Sequence, residues 1–184
     1  LSSSSAASDV YKRQVYNEPF CNDYLRNCPA DEYESRYKKI EHDLRLQCQM
    51  VRELDDDTPI TVGHELKEHL DSTADLVDVI AFHDYLTTRK DIKEVYEYAG
   101  KCAKAQGGKP VINNEMGCIG RANPYDVELQ FCEEFHYGYY IFNLVIEGFW
   151  APLHGIVYPD GTVRDPSIVA AMFGFYRNLS LIHI

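Results

Sequence analysis

From residue 15 to residue 178, short apolar runs alternate with longer stretches whose apolar residues recur at helical spacing. No other feature constrains the fold as much. Strands separated by helices, none reading as the hairpin partner of its neighbour, predict parallel βα units. Val15, Tyr16 and Asn17 read as the last residues of a first strand. A helix is expected over 31–54, with Ile40, Leu44, Cys48 and Val51 on one stripe. Strand-like runs occupy 59–63 (PITVG) and 77–82 (VDVIAF). The stretch 89–106 is amphipathic through Ile92, Val95, Ala99 and Cys102, and it stops at Gly107-Gly108, a helix-ending pair. Residues 110–114 are again strand-like, and Asn123-Pro124 opens a helix carrying Val127, Phe131 and Phe135. The run 144–150 reads as the last strand. Pro159-Asp160-Gly161 makes a tight turn in a small hairpin, and Asp165-Pro166 starts a final helix with Ile168, Val169, Met172 and Phe173.

Two architectures share this local pattern, an open doubly wound sheet and a (β/α)8 barrel. The strand ends separate them. Asn17-Glu18, His64-Glu65, His83-Asp84-Tyr85, Glu115 and Trp150 each stand just past an expected strand. An open sheet concentrates its ligand groups at one switch point, whereas a barrel collects them from nearly every strand onto one face. No strand is followed by a Gly-rich phosphate loop. The expected fold is therefore α/β, a partial (β/α)8 TIM barrel of five parallel strands with their helices.

Two of these strand-end residues are glutamates, Glu18 in VYNEPF and Glu115 in PVINNEMG. A buried strand ending in a carboxylate is a poor way to build a core, because an unpaired buried charge is expensive. It is a good way to aim acids into a cleft. Paired carboxylates are the minimum equipment for cleaving a glycosidic bond, one protonating the leaving oxygen while the other attacks the sugar or activates water.

The ordered set resembles a known family. Asn17-Glu18-Pro19 ending one strand, His83-Asp84-Tyr85 two strands later, Glu115 on the next and Trp150 on the last are similar to the retaining β-glycosidases of clan A, nearest to the cellulase-like family 5. The resemblance covers essentially all of 15–178. It implies that the strands are numbers 4 to 8 of the barrel, that Glu18 is the acid/base and that Glu115 is the nucleophile. It further implies that Asn17 bonds the sugar 2-hydroxyl, Tyr85 bonds Glu115, His83 lines the site and Trp150 stacks on a sugar ring. The substrate so implied is a β-linked oligo- or polysaccharide, cleaved with retention. The first three barrel strands, which in that family bring an Arg and a His to the catalytic pair, have no counterpart here. A fragment with an open edge is expected to be unstable and weakly active by itself.

The chemistry suits those roles. An acid must be protonated when it meets substrate, which burial or a neighbouring negative charge favours. A nucleophile must stay ionised, which a donating tyrosine hydroxyl favours. An indole offers a flat apolar face to the C–H side of a pyranose. Taken singly, each residue has a plainer reading: a solvated loop acid, a hydrogen-bonded histidine, a rim tryptophan. Two other function classes stay open, a sugar-binding barrel that has lost catalysis and a barrel enzyme acting on another substrate.

The formal net charge of −11 argues against nucleic acid or an anionic membrane as a partner. No apolar run approaches the roughly 18 residues of a membrane span. The six cysteines form no Cys-x-x-Cys pair; Cys48, Cys102 and Cys132 fall in helical patterns, while Cys21 and Cys28 share a loop where a bridge stays open. Cysteine usage thus leaves the compartment undecided, and the resemblance is compatible with a secreted or periplasmic protein. His64-Glu65-Leu66-Lys67-Glu68-His69 looks like a zinc-protease helix, but five residues at 3.6 per turn put His69 about 140° away from His64. No metal or cofactor site follows from it. Residues 1–14 (LSSSSAASDVYKRQ) and 179–184 (LSLIHI) resemble translated adapter sequence at the ends of truncated environmental reading frames. They are expected to be a non-native leader and tail flanking one catalytic domain, 15–178.

Overall fold

The computed structural model describes residues 12–174. Most of the expected leader and all of the expected tail, 179–184, lie outside the described residues. Five parallel strands are hydrogen-bonded in chain order: β1 (Arg13–Asn17), β2 (Ile60–His64), β3 (Ile80–Asp84), β4 (Val111–Met116) and β5 (Gly138–Ile141). Between β1 and β2 lie a short helix α1 (Asp23–Arg26) and the long helix α2 (Tyr33–Leu54). A 3-10 helix, Lys67–Ser72, joins β2 to β3, and α3 (Arg89–Ala105) joins β3 to β4. Helix α4 (Tyr125–Phe135) precedes β5, and α5 (Pro166–Met172) closes the described chain. These residues divide into two compact units, 12–82 with 99–111 and 83–98 with 112–174.

In the first unit, β1 pairs with β2 (Asn17 opposite Gly63) and β2 with β3 (Gly63 opposite Ala81). Ile60-Thr61-Val62 is β-branched throughout, and every residue of β2 is buried, the signature of a strand covered on both faces. Helix α2 buries Leu44 and Cys48 from the expected stripe, with Ile40 and Val51 half-buried beside them. Phe20, two residues past Glu18, stacks on Tyr37 at 4.5 Å and meets the His69 ring at a tilt, 4.4 Å away. A fully buried Phe or Leu of this kind contributes about 1.5–3 kcal/mol. The loop before β3 is tied down by a bidentate Arg45–Asp75 pair at 2.7 Å and by the Arg52–Asp78 pair. In α3 the expected stripe is buried along its length: Ile92, Val95, Ala99 and Cys102. Gly107 and Gly108, both at φ +84°, end it, and the Gly108 N–H donates to the Ala103 carbonyl.

In the second unit, β4 pairs with β5, Ile112 opposite Gly138 and Met116 opposite Ile141. Tyr96 of α3 is fully buried among Phe131, Phe135 and Tyr137. The hairpin at Pro159-Asp160-Gly161 is present, with the Tyr158 N–H on the Thr162 carbonyl. Asp165 caps α5 through the Ser167 N–H at 2.8 Å, and Ile168 is buried, although Met172 and Phe173 are exposed.

Three local expectations are corrected. The last strand is Gly138–Ile141, not 144–150. Helix α4 ends when His136 takes a left-handed conformation (φ 57°), which sends the chain straight into the sheet. Three of the four β5 residues are exposed, so no apolar alternation announced it. In 144–150, Gly148 turns at φ +69° and Val145 makes only an isolated bridge to Val157. Asn123 does not cap α4; its side chain bonds Gly117 and Leu86 instead. The buried face of α4 carries Glu128, Leu129 and Cys132 beside Phe131 of the expected stripe, while Val127 and Phe135 are only half-buried.

Candidate active site

Acid-bearing residues gather in each of the two units. In the first, Glu18 follows the last residue of β1, and its N–H donates to the Gly63 carbonyl of β2 at 2.8 Å. Its backbone stands at φ +48°, a left-handed conformation that a residue with a Cβ adopts at a cost of roughly 1–2 kcal/mol. The Cys21 N–H closes a turn onto the Glu18 carbonyl at 2.9 Å. This turn folds Cys21 back, so that Glu18, Cys21 and Glu65 bring ligand atoms within 4.8 Å of one another. Three such donors could hold a metal ion, but the positive charge at this cluster is already supplied by Arg26, 3.6 Å from Glu65. Burial first, then the Glu18 charge, pushes the Glu65 carboxyl above the usual glutamate range. Burial and the two carboxylates push the Cys21 thiol up to about 12, so it keeps its proton.

Asn17 is exposed and its Oδ1 accepts from Gln14 at 2.8 Å. His64 turns inward, buried, with Nε2 on the Thr73 hydroxyl at 2.9 Å, and so acts in packing. Cys21 and Cys28 are free thiols.

The second group gathers on Glu115, near the end of β4. The Tyr85 hydroxyl donates to Glu115 Oε1 at 2.5 Å, and His83 Nδ1 lies 3.6 Å from Oε2. His83 is buried near the end of β3, and Tyr85 stands one residue past the strand. A phenol donor on one oxygen and an imidazole beside the other fix the carboxylate plane. The Glu115 side chain keeps partial access to solvent.

Two residues of this group carried no sequence signal. Arg121 lays its guanidinium over the Tyr85 ring at 5.3 Å. Buried His154 meets Tyr85 edge-on at 5.3 Å, and its Nδ1 faces the carbonyls of Gly117 (3.0 Å) and Phe142 (2.9 Å). Both partners accept, so Nδ1 carries the hydrogen. Neither residue stands at a strand end, which is the feature that singled out the others. Trp150 lies in a turn instead of ending a strand, half-exposed, edge-on to His154 at 5.8 Å and to exposed Phe149 at 4.9 Å. Arg164 pins that turn by donating to the carbonyls of Ala151 and His154.

No protein-family model and no curated protein matches the chain. Solved structures do. The chain is similar to the glycoside hydrolase family 17 β-1,3-glucanosyltransferase from Rhizomucor miehei, with a TM-score of 0.51 and 13% identity over 67% of this chain and 56% of that one. It is also similar to a β-glucuronidase from an uncultured Clostridium sp., with a TM-score of 0.53 and 14% identity over 90% of this chain and 32% of that one. At these identities the likeness is one of fold. The chain has the fold of part of a TIM barrel, and it spans little more than half of one neighbour and a third of the other.

Proposed function

We propose that this chain is part of a retaining β-glycoside hydrolase, with Glu115 as nucleophile and Glu18 as acid/base. The observation that carries the reading is the Tyr85 hydroxyl on Glu115 Oε1 at 2.5 Å, a donor that holds the carboxylate in one orientation, as a nucleophile requires. The left-handed backbone of Glu18 supports its role, since strain of this kind gathers where a side chain must be aimed. In the first step a Glu115 oxygen attacks the anomeric carbon while the bond to the leaving oxygen breaks. Glu18 gives that oxygen its proton. In the second step Glu18 takes a proton from water, whose oxygen displaces Glu115 from the sugar. The exposed Phe149–Trp150 pair suits stacking on a sugar ring, and Asn17 is assigned to the 2-hydroxyl by family resemblance.

A 2-deoxy-2-fluoro β-glycoside with a good leaving group tests the proposal. The expected result is one covalent adduct at Glu115, located by mass spectrometry and absent from Glu115→Gln. A protein that binds oligosaccharide without forming the adduct is the inactive sugar-binding barrel. One that neither binds nor reacts acts on something else.

A further inference from the structure

Behind the Tyr85–Glu115 contact lies a second pair of acids that the proposed chemistry does not use. Asp84, the last residue of β3, and Glu128, on α4, are both fully buried. Asp84 Oδ1 accepts the Leu86 N–H at 3.0 Å. Its Oδ2 and both Glu128 oxygens are shut off from solvent with no donor in full hydrogen-bond geometry. The two carboxyls face each other, and the Asn123 amide faces Glu128. The other titratable groups acting on the pair are Cys118 after β4, Tyr125 and Cys132 of α4, and Tyr96 of α3. None of these brings a positive charge. Two ionised carboxylates enclosed in this way would repel each other in a medium that screens poorly, so the arrangement requires a proton between them.

We infer that Asp84 and Glu128 share one proton as a positioning pair, clamping the end of β3 to α4 and thereby holding Tyr85 on Glu115. The covalent chain makes the connection short. Asp84 and Leu86 flank Tyr85, and both are tied: Asp84 to Glu128, and the Leu86 carbonyl to Asn123 Nδ2 at 2.6 Å. Asn123 Oδ1 in turn accepts the Gly117 N–H at 2.9 Å, two residues past Glu115. The loop bearing Tyr85 and the loop following Glu115 thus meet at Asn123, directly beside the acid pair.

Burial lifts the Asp84 carboxyl to about 6 and Glu128 well above the usual glutamate range, the Asp84 charge adding to the second shift. Their mutual contact lowers Asp84 and raises Glu128, so Glu128 is the donor of the pair and Asp84 the acceptor. Both folded-state values lie above those of the unfolded chain. The folded state binds more protons, so stability is fully present at acid pH and is lost as pH climbs through the folded-state range. For Asp84 that loss runs between the ordinary 3.8 and about 6; Glu128 adds a loss as pH rises above the usual glutamate range.

Thermal unfolding of the whole chain followed by circular dichroism between pH 5 and 9 tests the inference. The wild-type Tm is expected to fall as pH rises, and Glu128→Gln, which keeps a donor but cannot ionise, is expected to flatten most of that fall. A Glu128→Gln profile parallel to wild type overturns the inference. Should that variant not fold, carboxyl-13C glutamate labelling of the wild type decides: one glutamate must still hold its proton at pH 7, and its absence overturns the inference equally. Only the effect on turnover rests on the proposed function. There, the alkaline decline of kcat/KM is expected to move upward in Glu128→Gln while the acid limb stays. A chain that shows the Tm and labelling behaviour but cleaves no glycoside refutes the proposed function and leaves the acid pair standing.

Discussion

Gly117→Ala should be among the most damaging single-methyl additions to this chain, and its cost can be built from the structure. Gly117 stands two residues after Glu115 at φ +95°, where a residue with a Cβ loses roughly 1–2 kcal/mol to backbone strain. A Cβ there would also lie 2.7 Å from Cε1 and 2.8 Å from the hydroxyl oxygen of Tyr125. Tyr125 is only 7% exposed, so its ring has nowhere to swing. Overpacking of that order costs about 1–3 kcal/mol, which brings the total to about 2–5 kcal/mol. Gly107 supplies the control, with φ +84° and nothing within 4 Å of its Cβ position. Gly107→Ala should therefore cost only the backbone share, about 1–2 kcal/mol. Urea unfolding monitored by fluorescence, with equal m-values for the three proteins, reads the difference directly. Adding Tyr125→Ala to Gly117→Ala should recover the steric share, a coupling that a double-mutant cycle isolates. If Gly117→Ala costs no more than Gly107→Ala, the tight approach of Tyr125 does not constrain the segment after the candidate nucleophile.

Tyr85→Phe keeps the ring under Arg121 and removes only the donor to Glu115. A charge-assisted hydrogen bond worth about 1.5–3 kcal/mol corresponds to a loss of roughly 10- to 150-fold in kcat/KM on a chromogenic β-glycoside; an unchanged value removes Tyr85 from the machinery. Cys21, held at about 12 by burial and by Glu65 and Glu18, should react with iodoacetamide at pH 8 more than tenfold slower than free cysteine. Rapid alkylation, located by peptide mapping, would show that the carboxylates do not surround it. The first-formed product of a β-glycoside should be the β-anomer by proton NMR, and an α-anomer would mean an inverting site.

Much of the fold was legible before any coordinates, and for one reason: apolar periodicity is local. The stripes of α2 and α3 and the buried runs of β2 and β3 follow from which face each residue occupies, so their existence and order read off directly. The fifth strand escaped because it is exposed and rich in tyrosine, leaving nothing periodic to find. Glu128 escaped for the converse reason. A charged residue on a helix reads as its solvated face, and only the packing of α4 buries this one against Asp84.

The candidate site divides along the same line. The sequence by itself determined which acids end strands and which residue types stand beside them: Glu18, Glu115, His83 and Tyr85. Their spacing along the chain is set by strand and helix lengths, which local patterning encodes. What tertiary structure alone decided is which other atoms meet: Cys21 folded onto Glu18 and Glu65, and His154 between Tyr85 and Trp150. Those contacts join residues distant in sequence, and no periodicity records a distance that only packing brings about.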